Sequence, residues 1–291
     1  MVKPTIPGPV PNPKTPSFKL PALTCDAHTH IFGPGNIYPY APERSYTPPD
    51  APLADFQALH RKLGIGRAVI VNATVHGTDN RVALDAIAVS GGRYRGVANI
   101  DGSITEQGVR ALHAGGFRGC RFNFVRHLGG VPDMNVFHRI VAMIAPLNWH
   151  VDLHFDAIDL PDYADLLSKL PVRYTIDHMA RVKAADGLEQ RPFRTLIELM
   201  QRDEKCWVKA SGFERVSSGG PPFHDAIPFA RKLVEAAPER VIWGTDWPHP
   251  NVKVMPDDGE LVDLIPLFAP EADLQRRILV ENPARLFDFP A

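Results

Sequence analysis

Cysteine is scarce in this sequence. Three residues, Cys25, Cys120 and Cys206, are scattered through 291 without a CxxC pair. That argues against a disulfide framework and for a reducing, intracellular compartment, expected here to be the cytoplasm. All three lie in apolar runs and read as small buried hydrophobes. No stretch approaches the roughly 20 apolar residues a membrane span needs, and the first residues lack the apolar core of a secretory signal. An excess of one charge is also missing. With 32 Lys+Arg against 33 Asp+Glu, the net charge is −1, so no global field favours nucleic acid or a membrane surface. No GxGxxG or GxxxxGK[ST] follows an apolar run, and nucleotide binding is not expected.

Proline, in contrast, crowds the beginning. Pro4, Pro7, Pro9, Pro11, Pro13, Pro16 and Pro21 forbid a helix or central strand there. Residues 1–22 are therefore expected to be an extended arm, lying on the domain or partly disordered. Beyond it, short runs rich in Val and Ile alternate with segments of helical periodicity. The runs are 23–27, 67–73, 96–100, 119–124, 150–155, 173–177, 206–210 and 241–245. Stretches such as 53–63, 106–114, 136–147, 160–167, 193–201 and 227–236 carry the helical pattern. Near-continuous apolar strands between helices indicate a parallel sheet covered on both faces. Eight such units in about 250 residues fit a closed (β/α)₈ barrel over 23–291 better than an open sheet. A monomer or small homo-oligomer is expected.

A barrel gathers its chemistry at the C-terminal strand ends, and this sequence has candidates there. The first strand ends Asp26-Ala27-His28-Thr29-His30, whose alternate histidines can face one metal. Strand five ends at His154, strand six at His178, and strand eight at Asp246. A cation held by imidazoles and a carboxylate would lower the pKa of bound water. An aspartate beside that water could take its proton. A histidine or the metal could polarise an acyl carbonyl. Among other histidines, His60, His113, His138 and His224 lie in helical stretches and are expected to be solvated or capping. His150 begins a strand, and His76 and His249 follow strands, where they could line a pocket.

Arginines collect near the same strand ends: Arg121 and Arg126 after strand four, Arg181 after strand six, Arg215 after strand seven. A guanidinium matches carboxylate or sulfonate oxygens with a two-pronged fork. Two or more at one pocket would imply a small substrate with more than one negative group.

The blocks DAHTHIFGPG, PYAPERSYTP, ATVHGTDN, GCRFNFVR, TIDHMAR, WGTDWPHPN, PDDG and ENPARLF closely resemble the 2-pyrone-4,6-dicarboxylate lactonase and 4-sulfomuconolactone hydrolase family of the amidohydrolase superfamily. The resemblance runs from Cys25 to the C-terminus. It implies a (β/α)₈ barrel that hydrolyses an anionic lactone in aromatic-acid catabolism. It casts Asp246 as the base that activates water and places His28, His30 and His178 around the reacting carbonyl. It gives Tyr46, Thr74, Arg121, Arg181 and Arg215 to the substrate's carboxylates and ring. Two positions depart from the pyrone-cleaving members. Arg126-His127 stands where they carry Lys-Arg, and His154 where they carry Tyr. Both positions line the substrate in the family, and both changes lean toward a sulfonated lactone. The resemblance to pyrone-cleaving members also implies that catalysis without a divalent ion is open to this chain, whereas metal-dependent relatives place a ligand histidine at the end of strand five. The expected ligand set is thus His28, His30, His154 and Asp246 around one divalent ion, Zn²⁺ foremost, with His178 left to polarise the carbonyl. Two-metal members use a bridging Lys on strand four, where this chain has Arg121. A metal-dependent decarboxylase of the same superfamily is the alternative.

Overall fold

Eight parallel strands follow one another in chain order in the computed structural model, which describes residues 3–290 and, of His127, the backbone alone. They are β1 (Cys25–Thr29), β2 (Arg67–Val71), β3 (Tyr94–Ala98), β4 (Phe117–Asn123), β5 (His150–His154), β6 (Tyr174–Ile176), β7 (Cys206–Ala210) and β8 (Val241–Trp243). Between them run α1 (Leu53–Leu63), α2 (Arg81–Ala88), α3 (Glu106–Ala114), α4 (Met134–Ile144), α5 (Leu160–Ser168) and α6 (Arg191–Arg202). A single turn, α7 (Phe213–Val216), and α8 (Ile227–Ala236) follow β7, and α9 (Asp258–Asp263) follows β8. This is the expected (β/α)₈ order.

Each helix buries one stripe against the sheet. On α6 the stripe is Phe193, Leu196, Leu199 and Met200, at three- and four-residue spacing. On α1 it is Phe56, Leu59, His60 and Leu63, which corrects the surface expectation for His60. That ring sits on the inward stripe, buried, with Nε2 3.4 Å from Asp26 Oδ2. Side-chain caps start three of the helices, with Asp257 accepting from Gly259 N and Glu260 N on α9. Thr105 accepts from Gly108 N on α3, and Asp133 accepts from Asn135 N and Val136 N on α4.

The barrel closes where β8 returns to β1. Asp246 N–H donates to His28 O at 2.8 Å just beyond β8. Gly244 permits this approach, since a Cβ there would lie 2.6 Å from His28 N. The interior floor is apolar: Cys25, Ala27, Val69, Val71, Val97, Trp207 and Ile242 pack on Phe287 and Phe289 from the C-terminal segment. Between Asp26 and Thr29, β1 places three steps against the two that separate Ala68 and Ile70 on β2. This bulge lets Ala27 join the floor while His28 also reaches the interior.

The Pro-rich arm is extended over α9. Prolines leave it few N–H donors, and those of Lys14, Ser17 and Phe18 are taken by the carboxylates of Asp257 and Asp263. Lys62 Nζ on α1 donates to Asn12 Oδ1 at 2.7 Å. The three cysteines are buried and free. Among the described residues no helix is long and apolar enough to cross a membrane.

Candidate active site

A cavity of about 390 Å³, counted out to its mouth, opens at the C-terminal ends of the strands. Its walls include His30, Tyr46, Thr74, Arg121, His154, His178, Arg215 and Asp246. Strands one, four, five, six, seven and eight thus contribute to one space, as a barrel's βα loops require.

Asp246 is the centre of the arrangement. Its Oδ2 accepts from Arg215 Nε at 3.0 Å and Nη2 at 2.6 Å. Its buried Oδ1 accepts no hydrogen bond among the described residues and faces three imidazoles. His30 Nε2 lies 3.3 Å away, His28 Nε2 3.5 Å and His178 Nε2 3.9 Å. Burial alone would raise the Asp246 carboxyl. The Arg215 guanidinium, with His178, His30 and His28, instead holds it well below the usual carboxylate range. Burial and the Lys209 ammonium push His28 down to about 4. Burial likewise depresses His178, and burial with Arg121 depresses His154. Near neutral pH the cavity therefore holds an ionised carboxylate beside the neutral rings of His28, His154 and His178.

The backbone aims these groups at a cost. His178, Met179, Ala180 and Arg181 all adopt positive φ, between 51° and 55°. A left-handed turn of this kind costs about 1–2 kcal/mol per residue, and buried surroundings must hold it. Gly212 makes room for it: a Cβ there would lie 2.9 Å from His178 Cβ. Ser211 Oγ fixes His178 Nδ1 at 3.0 Å, and the carbonyl of Val71 fixes His30 Nδ1 at 2.8 Å. Both rings turn Nε2 toward Asp246.

The arginines separate. Arg121, inward-facing on β4 and buried, pairs with Asp177 Oδ2 at 2.8 Å and lines the cavity. Arg215 lines it while bonded to Asp246. Arg181 is outside the lining and pairs with Asp156 Oδ1 at 2.9 Å, at the edge of an outer groove shared with Lys183 and Gln190. Arg126 corrects the expectation of substrate contact. Its side chain is 81% exposed and its guanidinium lies 3.5 Å from Asp159, because it begins the turn after β4, where strand alternation no longer directs it inward. The side chain of His127 lies outside the described residues.

The residues missed lie one layer below. Lys209, in the middle of β7 and fully buried, meets Asp152 Oδ2 in a short contact, Asp177 Oδ1 at 3.1 Å and His28 Nδ1 at 3.0 Å. Asp152 also receives His150 Nε2 at 2.8 Å and the Thr175 hydroxyl. Beside Arg215, the buried Glu214 carboxyl is raised by burial. A lysine inside the apolar run Cys206–Ala210 was the available signal, since a charge in a strand buried on both faces needs partners. His249 is structural: its Nε2 is bonded to Asp258 Oδ1 at 3.0 Å.

Two ligand-competent groups exist among the described residues: His28, His178 and Asp246, and His28, Asp152 and Asp177, each with ligand atoms within 4.8 Å of one another. The first fits one divalent ion by donor type and spacing, and both His28 Nε2 and Asp246 Oδ1 are buried without a hydrogen-bond partner. The second surrounds the Lys209 ammonium. His30 and His154 belong to neither, which revises the expected ligand set of His28, His30, His154 and Asp246. Asn123 Oδ1 holds the His154 Nδ1 at 3.1 Å, the ring lines the cavity, and the buried Nε2 has no hydrogen-bond partner among the described residues. By position His178 replaces His154.

Comparison with known proteins agrees with this geometry. The amidohydrolase family profile matches residues 25–289. A 2-pyrone-4,6-dicarboxylate hydrolase from Comamonas testosteroni is 47% identical over 95% of this chain and 93% of its own. A 4-sulfomuconolactone hydrolase from Rhizobium radiobacter is 42% identical over 93% and 92%. A solved Acinetobacter baumannii protein with citric acid bound superposes with a TM-score of 0.80 at 25% identity, over 92% of this chain and all of that one. A buried His/Asp cluster at the strand ends, in a chain matched almost end to end, makes this protein a member of the amidohydrolase family.

Proposed function

We propose that the chain is a lactonase that opens a small lactone carrying more than one negative group, of the kind met in aromatic-acid catabolism. One observation carries the reading: the unbonded, buried Oδ1 of Asp246 faces buried imidazoles in a cavity that Arg121 and Arg215 also line. Relatives at 47% and 42% identity are named for such lactones, and a structural relative holds a tricarboxylate.

Asp246, held ionised by Arg215, takes a proton from water as that water's oxygen bonds to the lactone carbonyl carbon. His178 stands beside the place where the carbonyl oxygen gathers charge and can stabilise it. The ring C–O bond then breaks, and the leaving oxygen receives the proton from Asp246. Water is added across the ester, and the new carboxylic acid releases one proton near neutral pH. Arg121 and Arg215 hold anionic substituents, Tyr46 and Thr74 border the ring, and Arg181 guides the anion from the outer groove. One divalent ion, Zn²⁺ by the imidazole and carboxylate donors, would be held by His28, His178 and Asp246, and when bound would take over from His178 at the carbonyl as a Lewis acid.

A pH-stat assay with 2-pyrone-4,6-dicarboxylate and 4-sulfomuconolactone side by side tests the reading. One proton released per lactone consumed supports it. Evolution of CO₂ would favour a decarboxylase, and inertness toward both lactones would overturn the reading.

A further inference from the structure

Lys209 is the buried cation that the proposed chemistry does not use. An ammonium has three donors, and three acceptors surround this one: Asp152 Oδ2, Asp177 Oδ1 at 3.1 Å and His28 Nδ1 at 3.0 Å. Two carboxylates would suffice for a structural ion pair. The third partner is a ring whose other nitrogen, Nε2, accepts or donates nothing among the described residues and lies 3.5 Å from Asp246 Oδ1. His28 has two possible neutral forms. With the proton on Nδ1 it would face Asp177 Oδ1 at 3.5 Å and turn a lone pair toward Asp246, the form a metal ligand needs. With the proton on Nε2 it would turn an N–H toward Asp246, the form an ammonium at Nδ1 demands.

We propose that Lys209 is a positioning residue: by donating to His28 Nδ1 it holds the His28 proton on Nε2, pointed at the oxygen of Asp246 that serves as base. Lys209, His28 and Asp246 then share one polarity: Nζ–H donates to Nδ1 at 3.0 Å, and Nε2–H faces Oδ1 across 3.5 Å. Arg215 fixes the other carboxylate oxygen, so Asp246 is oriented from both sides. The same contact competes with any cation at the His28–His178–Asp246 group, because Nε2 cannot carry a proton and a metal together. Lys209 also fills the lower group of His28, Asp152 and Asp177, so no second ion enters there.

The catalytic meaning rests on the reading of Asp246 as base, but the test does not. Histidine-selective ¹⁵N NMR of the wild-type protein, with the His28 resonances identified by their loss in His28→Gln, should show the proton on Nε2. In Lys209→Met it should move to Nδ1, and zinc affinity measured by competition with a chromogenic chelator should rise, opposite in sign to the ~10–100-fold loss that follows removal of a partner supporting a ligand ring. Should that variant not fold with Asp152 unpaired, Lys209→Met with Asp152→Asn removes both charges and should give the same shift. A wild-type His28 protonated on Nδ1, or an unmoved proton in the folded variant, overturns the proposal. A protein with the expected tautomer and no lactone turnover would instead sink the lactonase reading and leave the role of Lys209 standing.

Discussion

Both ends of this barrel are ringed with arginine, and the two rings do different things. At the C-terminal strand ends, Arg121 and Arg215 meet buried carboxylates, Asp177 and Asp246, beside a cavity. At the N-terminal ends, Arg67 and Arg95 meet backbone carbonyls of the C-terminal segment, those of Pro290 and Asp288, at 2.5 and 2.9 Å. There they flank the Phe289 ring at 5.3 and 4.7 Å, and Arg285 lies 4.8 Å from the Trp207 ring. The upper arginines hold charge ready for chemistry, and the lower ones tie down a chain end. A guanidinium near a strand terminus therefore says little until its partner is known.

Substitutions can sharpen or break this contrast. The largest effect on turnover should come from Asp246→Asn, which keeps the shape but removes the base. Its kcat should fall at least ~100-fold while substrate still binds, as steady-state kinetics and calorimetry can show. Next, Arg215→Met removes both the partner of Asp246 Oδ2 and an anion contact. It should raise KM and also move the acid limb of the kcat profile upward, toward the ordinary carboxylate range. A rise in KM alone would make Arg215 a substrate holder only. At the other end, Arg67→Met should cost about 1.5–3 kcal/mol of stability, the weight of a charged hydrogen bond, and leave kcat unchanged. A denaturant titration with a parallel activity assay separates these. Smallest of all, Arg126→Ala should change neither KM nor stability measurably, since an exposed pair is worth about 0–1 kcal/mol.

The pH dependence follows from the same burial. A depressed carboxylate such as Asp246 contributes stability above its unfolded pKa and loses it as pH falls through its folded value. His28, His154 and His178 are all lowered as well. These three rings should thus add no inflection to the kcat profile in the usual histidine range near ~6.5, and the Asp246 limb should lie below it. An inflection near 6.5 would mean a cavity imidazole titrates there. His249 has the opposite sign. Asp258 raises it against burial, so its contribution is present below the unfolded value and fades as pH rises through the folded one.

Much of this was legible in the residues. Buried parallel strands announce themselves as short apolar runs, and all eight lie at the expected places. The metal-type residues at the ends of β1, β5 and β6 and just beyond β8 do share one space. What the sequence hid was direction. Arg121 and Arg126 are five residues apart, yet only Arg121 still obeys strand alternation. Arg181 ends a left-handed turn that no residue type there advertises. The bulge in β1, which brings His28 over Lys209, depends on pairing with β2 and leaves no local mark. The network of Lys209, Asp152 and Asp177 was visible only as charges where apolar residues were expected.

The central claim is that Asp246, oriented among buried imidazoles, activates water against an anionic lactone. The most direct test follows proton release from 2-pyrone-4,6-dicarboxylate and 4-sulfomuconolactone, comparing wild-type protein with Asp246→Asn. The expected result is one proton per lactone opened by the wild type, with kcat at least ~100-fold lower in a variant that still binds. Equal rates in the two proteins, or no hydrolysis of either lactone by the wild type, would contradict it.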